Sequence, residues 1–165
     1  MVVNRLNWYL EFYSFLTEVQ SGFHHRRKTT DHILRLHDIV TKSLANKHHV
    51  FAVFTDTEKA YDKVSKDALP LKLLEFGING NMFSFICSFL SNRSFQVRVG
   101  SSLSHIKFPA NGLPQGSVLS PVLFSILING LPGSIRSRTA LYADDARFGR
   151  ADRVSDNSMT YANNL

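Results

Sequence analysis

Three acids carry the chemistry that this sequence suggests. Asp144 and Asp145 are adjacent, set between the apolar run Leu141-Tyr142-Ala143 and the residues Ala146-Arg147-Phe148. Asp56 follows a second apolar run, Val50-Phe51-Ala52-Val53-Phe54, with only Thr55 between. Neighbouring side chains on a strand point to opposite faces, so Asp144 and Asp145 serve one site only if the chain turns sharply there. A bare Asp-Asp pair reads as a solvated turn; the second acidic strand end is what changes that reading. If the two strand ends meet in one sheet, three carboxylates share a rim and repel each other unless a divalent cation lies among them. Oxygen donors without histidine or thiol suit Mg²⁺, with Mn²⁺ as the other candidate, completed by water and substrate phosphates. Two such ions on Asp56, Asp144 and Asp145 outline a phosphoryl-transfer site.

Other residues fit that chemistry. If the chain turns into a helix after Asp56, backbone amides from Thr57 to Tyr61 can face a triphosphate. Tyr61 is near enough to Asp56 to lay its ring against a nucleotide sugar and crowd a 2′-hydroxyl; its plain alternative is a core aromatic. Gln115, beside Gly116 in the turn Asn111-Gly112-Leu113-Pro114-Gln115-Gly116-Ser117, can hydrogen-bond a template strand or an incoming nucleotide, or simply fill the turn. The stretch Ser21 to Thr30 holds Arg26, Arg27 and Lys28 just before a helix N-terminus, an arrangement that suits phosphate as well as a solvated loop. The pairs His24-His25 and His48-His49 lack a turn between members and any helping cysteine, so they read as surface or helix-end residues rather than zinc ligands.

The elements that must position these residues follow from periodicity. Leu6, Tyr9, Leu10, Tyr13 and Leu16 predict a helix over 3–17. Thr30 or Asp31 caps a second helix bearing Ile33, Leu34, Leu36, Val40 and Leu44. The run ending at Asp56 is apolar throughout, which predicts a strand covered on both faces. A helix over 65–76 closes at Gly77. A further helix over 81–90 is apolar nearly all round and is expected to be buried. Residues 93–109 form a hairpin about Gly100-Ser101-Ser102, and Ser117 caps a helix that tolerates Pro121 in its first turns. Residues 138–150 form the acidic hairpin, and the polar stretch from Arg153 is expected to be a loose tail.

With 165 residues, 44% of them hydrophobic, the chain can bury one core or form part of a larger domain. A net charge of +6 and a pI near 9.7 favour a polyanionic partner. The single cysteine, Cys87, excludes an internal disulfide framework and suits a reducing, intracellular compartment. No run approaches the roughly 18 apolar residues of a membrane span, and Asn7 and Glu11 interrupt any signal-peptide core.

Taken together, FTDTEKAYDKV (54–64), NGLPQGSVLSPVLFSILINGLP (111–132) and LYADDARF (141–148) resemble the reverse transcriptase of non-LTR retrotransposons, the jockey-like and LINE-like elements. Residues 4–36 look like that family's fingers segment and 73–100 like its palm helices and hairpin, so the likeness covers residues 4–150. The resemblance implies an α+β fold. It implies a right-hand polymerase palm, an antiparallel sheet backed by helices, with partial fingers over 1–48, a catalytic core over 49–150 and a tail over 151–165. It maps the family's catalytic, metal-holding aspartates onto Asp56, Asp144 and Asp145. Its sugar-gate aromatic falls on Tyr61, its Pro-Gln-Gly turn on Pro114, Gln115 and Gly116, and its triphosphate- or template-holding fingers arginine on Arg27. The implied activity is RNA-directed DNA polymerisation: two-metal nucleotidyl transfer from a dNTP to a DNA primer on an RNA template. The alternative is an inactive retrotransposon remnant that at most binds nucleic acid. The oligomeric state is left open.

Departures from the family pattern are local. Thr55 stands where a hydrophobic residue is usual, Arg26 and Lys28 where glycine and serine are common, and Arg147 where the family favours apolar or small residues. A buried arginine costs several kcal/mol unless paired or snorkelling. The upstream fingers strands, the remaining palm segments, the thumb and an endonuclease domain are expected to be missing from this stretch.

Overall fold

The computed structural model describes residues 1–22, 28–135, 138–142 and 145–153, with Arg138 and 147–153 described by backbone alone. The chain packs as two compact units, each built from two separate stretches: 1–18 with 57–130, and 19–56 with 131–165.

In the first unit, α1 (Val2–Phe12), α3 (Ala68–Glu75), α4 (Gly80–Leu90) and α5 (Ser120–Ile128) enclose one core. Leu6, Leu10, Leu69, Leu73, Ile86, Leu123 and Ile126 are its fully buried side chains. Spacings of three or four residues place each pair on one helix face. α1 is shorter than the periodicity predicts. Its run ends at Tyr13, and Ser14 takes a positive φ of 51°, so Phe15 and Leu16 reach the core from beyond the helix. α3 begins at Ala68 rather than 65, where Ser65 Oγ accepts from the Ala68 amide at 3.1 Å. It closes as expected at Gly77, with φ +70° and its amide donating to Leu74. The expectation that α4 is buried on all sides is corrected: only Ile86 and Leu90 are fully buried, and Phe85 is exposed, because one face alone meets the core. α5 is the element that is covered nearly all round, from Val122 to Ile126.

The predicted hairpin is present in irregular form. β2 (Arg98–Val99) pairs with β3 (Ser102–Leu103) across Gly100-Ser101, whereas Phe95 pairs with Lys107. The return strand therefore carries one extra residue between Ser104 and Lys107, a bulge. Ser104 fills the break: its Oγ accepts from the Val97 amide and its carbonyl accepts from Gln96 Nε2, each at 2.9 Å.

In the second unit, β1 (His48–Thr55), β4 (Arg138–Tyr142) and β5 (Asp145–Arg153) form an antiparallel sheet in the order β1-β5-β4. Residues 19–21 extend it, since Leu141 exchanges backbone hydrogen bonds of 2.8 Å with Val19 and Ser21. Gln20 and Leu141 are buried at this seam. α2 (Thr29–Ala45) packs against β1. Its contact face runs through His32, Leu36, Val40 and Ser43, while Ile33, Leu34 and Leu44 are exposed. The prediction that β1 is covered on both faces fails for a related reason. β1 is an edge strand that pairs only with β5 among the described residues, and Phe51 and Phe54 are exposed. Sequence composition reports how apolar a strand is, not whether a partner lies over it.

Candidate functional site

The acidic end of the second unit is built by strand register. Thr55 pairs with Ala146 on β5, and Tyr142 on β4 pairs with Asp145. Asp56 follows Thr55 where this pairing ends, and Asp145 precedes Ala146 on the facing strand. Adjacent antiparallel positions lie about 5 Å apart at Cα. Thr55 locks this register, because its Oγ1 donates to the Ala146 carbonyl at 3.2 Å. A hydroxyl where the family pattern has an apolar side chain thus has a partner here. Asp56, Asp145, Phe54, Thr55 and Ala146 line one cavity of ≈ 200 Å³, and both carboxylates are exposed.

The donor set of this cavity is all oxygen, which fits a hard divalent cation such as Mg²⁺. Among the described residues, no three histidine, cysteine or acidic side chains are grouped to hold a metal. Asp144, the third acid of the sequence reading, lies outside the described residues, as does Arg27. The His32 ring meets the Tyr142 ring edge-on with centroids 6.0 Å apart, so α2 supports the end of β4.

In the first unit, the residues after Asp56 form successive turns rather than a helix. The Ala60 amide donates to Thr57, those of Asp62 and Lys63 donate to Lys59, and Lys59 takes a positive φ of 55°. Thr57 is exposed, so an amide-lined helix N-terminus is replaced by a tight turn. Tyr61 stacks on Phe124 of α5 with ring centroids 4.9 Å apart and planes at 20°. The ring is half-buried and packs at the edge of the core, in keeping with its reading as a core aromatic.

The Pro-Gln-Gly turn docks onto this same segment. The Gly112 amide donates to the Val64 carbonyl and the Leu113 amide to the Tyr61 carbonyl, both at 2.8 Å. Arg93 donates to the Gly112 carbonyl. Ser120 Oγ donates to the Pro114 carbonyl at 2.7 Å, and Ser117 Oγ accepts from the Leu119 amide, so α5 starts three residues after the serine expected to cap it. Gln115 and Gly116 are exposed at the tip, and Gly116 takes φ +83°. Gln115 Nε2 donates to Asp62 Oδ1 at 3.1 Å. Sequence reasoning passed over Asp62, Arg93 and Ser120; the only signal for Asp62 was its place inside the FTDTEKAYDKV stretch.

Comparison with known proteins gives a consistent picture. Residues 1–153 match the family profile described as Reverse transcriptase (RNA-dependent DNA polymerase). The chain is 31% identical over 153 residues to the probable RNA-directed DNA polymerase from transposon BS of Drosophila melanogaster, covering 88% of this chain and 17% of that protein. It is 30% identical over 132 residues to the RNA-directed DNA polymerase from mobile element jockey of the same species, covering 80% of this chain and 14% of that protein. The chain therefore spans about a sixth of the length of these relatives. The fold is similar to that of a telomerase from Candida albicans, solved with a fragment of telomeric RNA. That likeness has a TM-score of 0.68 at 15% identity over 92% of this chain and 30% of that one.

Proposed function

The chain belongs to the reverse transcriptase family, and on that premise we propose that it carries the RNA-directed DNA polymerase chemistry of a non-LTR retrotransposon. The reaction is nucleotidyl transfer from a dNTP to a DNA primer 3′-hydroxyl on an RNA template, inside the cell. The observation that supports this most directly is that Asp56 and Asp145, next to the paired residues Thr55 and Ala146, line one cavity.

Asp56 and Asp145, joined by Asp144, would hold two Mg²⁺ ions, with Mn²⁺ as a substitute. When bound, such ions acidify the attacking hydroxyl and neutralise charge on the phosphorus and the leaving pyrophosphate. The protein's part is to hold acceptor oxygens in place, and the antiparallel pairing does so with backbone on both strands. Tyr61, held against Phe124, presents its remaining surface to the nucleotide sugar. Gln115 and Gly116 contact the template or the incoming nucleotide, the turn at Thr57 contacts its phosphates, and Arg27 adds charge toward triphosphate or template. We further read 1–48 as partial fingers and 49–150 as palm, a division by role rather than by packing.

The test is primer extension by the 165-residue chain on an RNA template with Mg²⁺ and dNTPs. Extension that falls to background in Asp56→Ala and in Asp145→Ala supports the reading. Extension that survives either substitution overturns it. Salt-sensitive RNA binding by a wild-type chain that extends no primer would identify it as a binding remnant.

A further inference from the structure

We propose that Asp62 fixes the polarity of Gln115, so that this glutamine meets nucleic acid as a hydrogen-bond acceptor; the inference rests on the polymerase reading above. A glutamine amide has one donating and one accepting end, and either could face a substrate. An ionised carboxylate only accepts. With Gln115 Nε2 at 3.1 Å from Asp62 Oδ1, turning the amide over would bring two oxygens together. The pair therefore directs Oε1 of Gln115 away from Asp62, toward whatever occupies the turn.

Both ends of this contact are anchored by backbone. The Asp62 amide donates to Lys59 at 3.0 Å, and the flanking residues Tyr61 and Val64 accept from Leu113 and Gly112. Gln115 follows Pro114, whose carbonyl accepts from Ser120 Oγ. The two side chains are 53 positions apart in sequence but sit on segments clamped to each other, so the orientation is set before any ligand arrives.

The consequence is chemical selectivity. An outward carbonyl oxygen beside a carboxylate accepts from a sugar hydroxyl or a base amino group and disfavours a phosphate oxygen, which also only accepts. Asp62 is thus a positioning residue for nucleotide recognition by Gln115.

Two measurements test this on the 165-residue chain. In the metal-free protein, the side-chain amide NMR signals of Gln115 should move in Asp62→Ala and return toward wild type in Asp62→Asn, whose carbonyl restores an acceptor. In primer extension, Asp62→Ala should raise the KM for dNTP about fivefold with kcat little changed. Asp62→Asn should recover most of that loss, and Asp62→Ala should add nothing in a Gln115→Ala background. Gln115 signals indifferent to Asp62→Ala, or fully additive losses in the double variant, would overturn the proposal. A wild-type chain without extension would instead remove the polymerase reading, and the amide signals would still decide whether Asp62 orients Gln115.

Discussion

Gly112 leaves no room for a β-carbon. Its φ is +95°, and a Cβ built there meets the Asp62 carbonyl oxygen at 2.8 Å and the Asp62 Cα at 2.9 Å. Both obstacles are backbone and cannot swing aside. Gly112→Ala should therefore destabilise the first unit by about 2 kcal/mol or more, from the left-handed backbone and the clash together. A urea denaturation midpoint checks this, and an unchanged midpoint would mean that the two segments do not touch. Gly116 also has a positive φ but has open space around it, so Gly116→Ala meets only the conformational strain. The Gly/Pro density of 111–117 made this turn legible in the sequence. The reason for Gly112 was not, because it lies in a segment some fifty positions away. The same holds for Asp62, whose partner is named only by the folded chain, whereas the two acids of the cavity stood out by type and by their position at strand ends.

At the scale of elements, helix starts show which sequence signals carry weight. α2 begins after Lys28, which has the extended backbone of an N-cap (φ −131°, ψ 157°) but makes no capping bond from its side chain. Asp31 supplies the other half, its carboxylate accepting from the Lys28 amide at 2.8 Å. Lysine has no acceptor to offer the free amides of the first turn, and its charge opposes the positive helix end. Lys28→Ser should therefore stabilise α2 by about 1 kcal/mol, read as slower amide exchange through the helix; faster exchange would contradict the cap geometry. Periodicity located the five α-helices of the described residues, yet it misjudged which faces are covered. α2 packs through a stripe that includes His32 and Ser43 and leaves Ile33 and Leu34 to solvent. β1, with an unbroken apolar run, is an edge strand among the described residues, with Phe51 and Phe54 exposed. An apolar side chain states a preference for burial, and only the neighbouring element satisfies it.

At the scale of the molecule, the order of motifs along the chain was readable and the way they combine was not. Thr55 and Ala146 are bonded across 91 positions, and pairing at that range interleaves two stretches in each unit. Net charge, by contrast, survives folding unchanged, and it makes a quantitative statement about the polyanion this chain is proposed to bind. Counterion release gives log K against log salt a slope of about −0.7 per phosphate neutralised on a single strand. If the excess of six positive charges meets phosphate on single-stranded RNA, the slope approaches about −4. Arg26, Arg27 and Lys28 supply three cations within one stretch. Replacing all three with glutamine should flatten the slope by about 2 and weaken binding without regard to RNA sequence. Fluorescence anisotropy of a labelled RNA titrated across a fourfold range of salt, roughly 50 to 200 mM, measures both quantities. An unchanged slope in the triple variant would place the phosphate contacts on other basic residues, and a wild-type slope near zero would remove RNA as the partner that the charge of this chain selects.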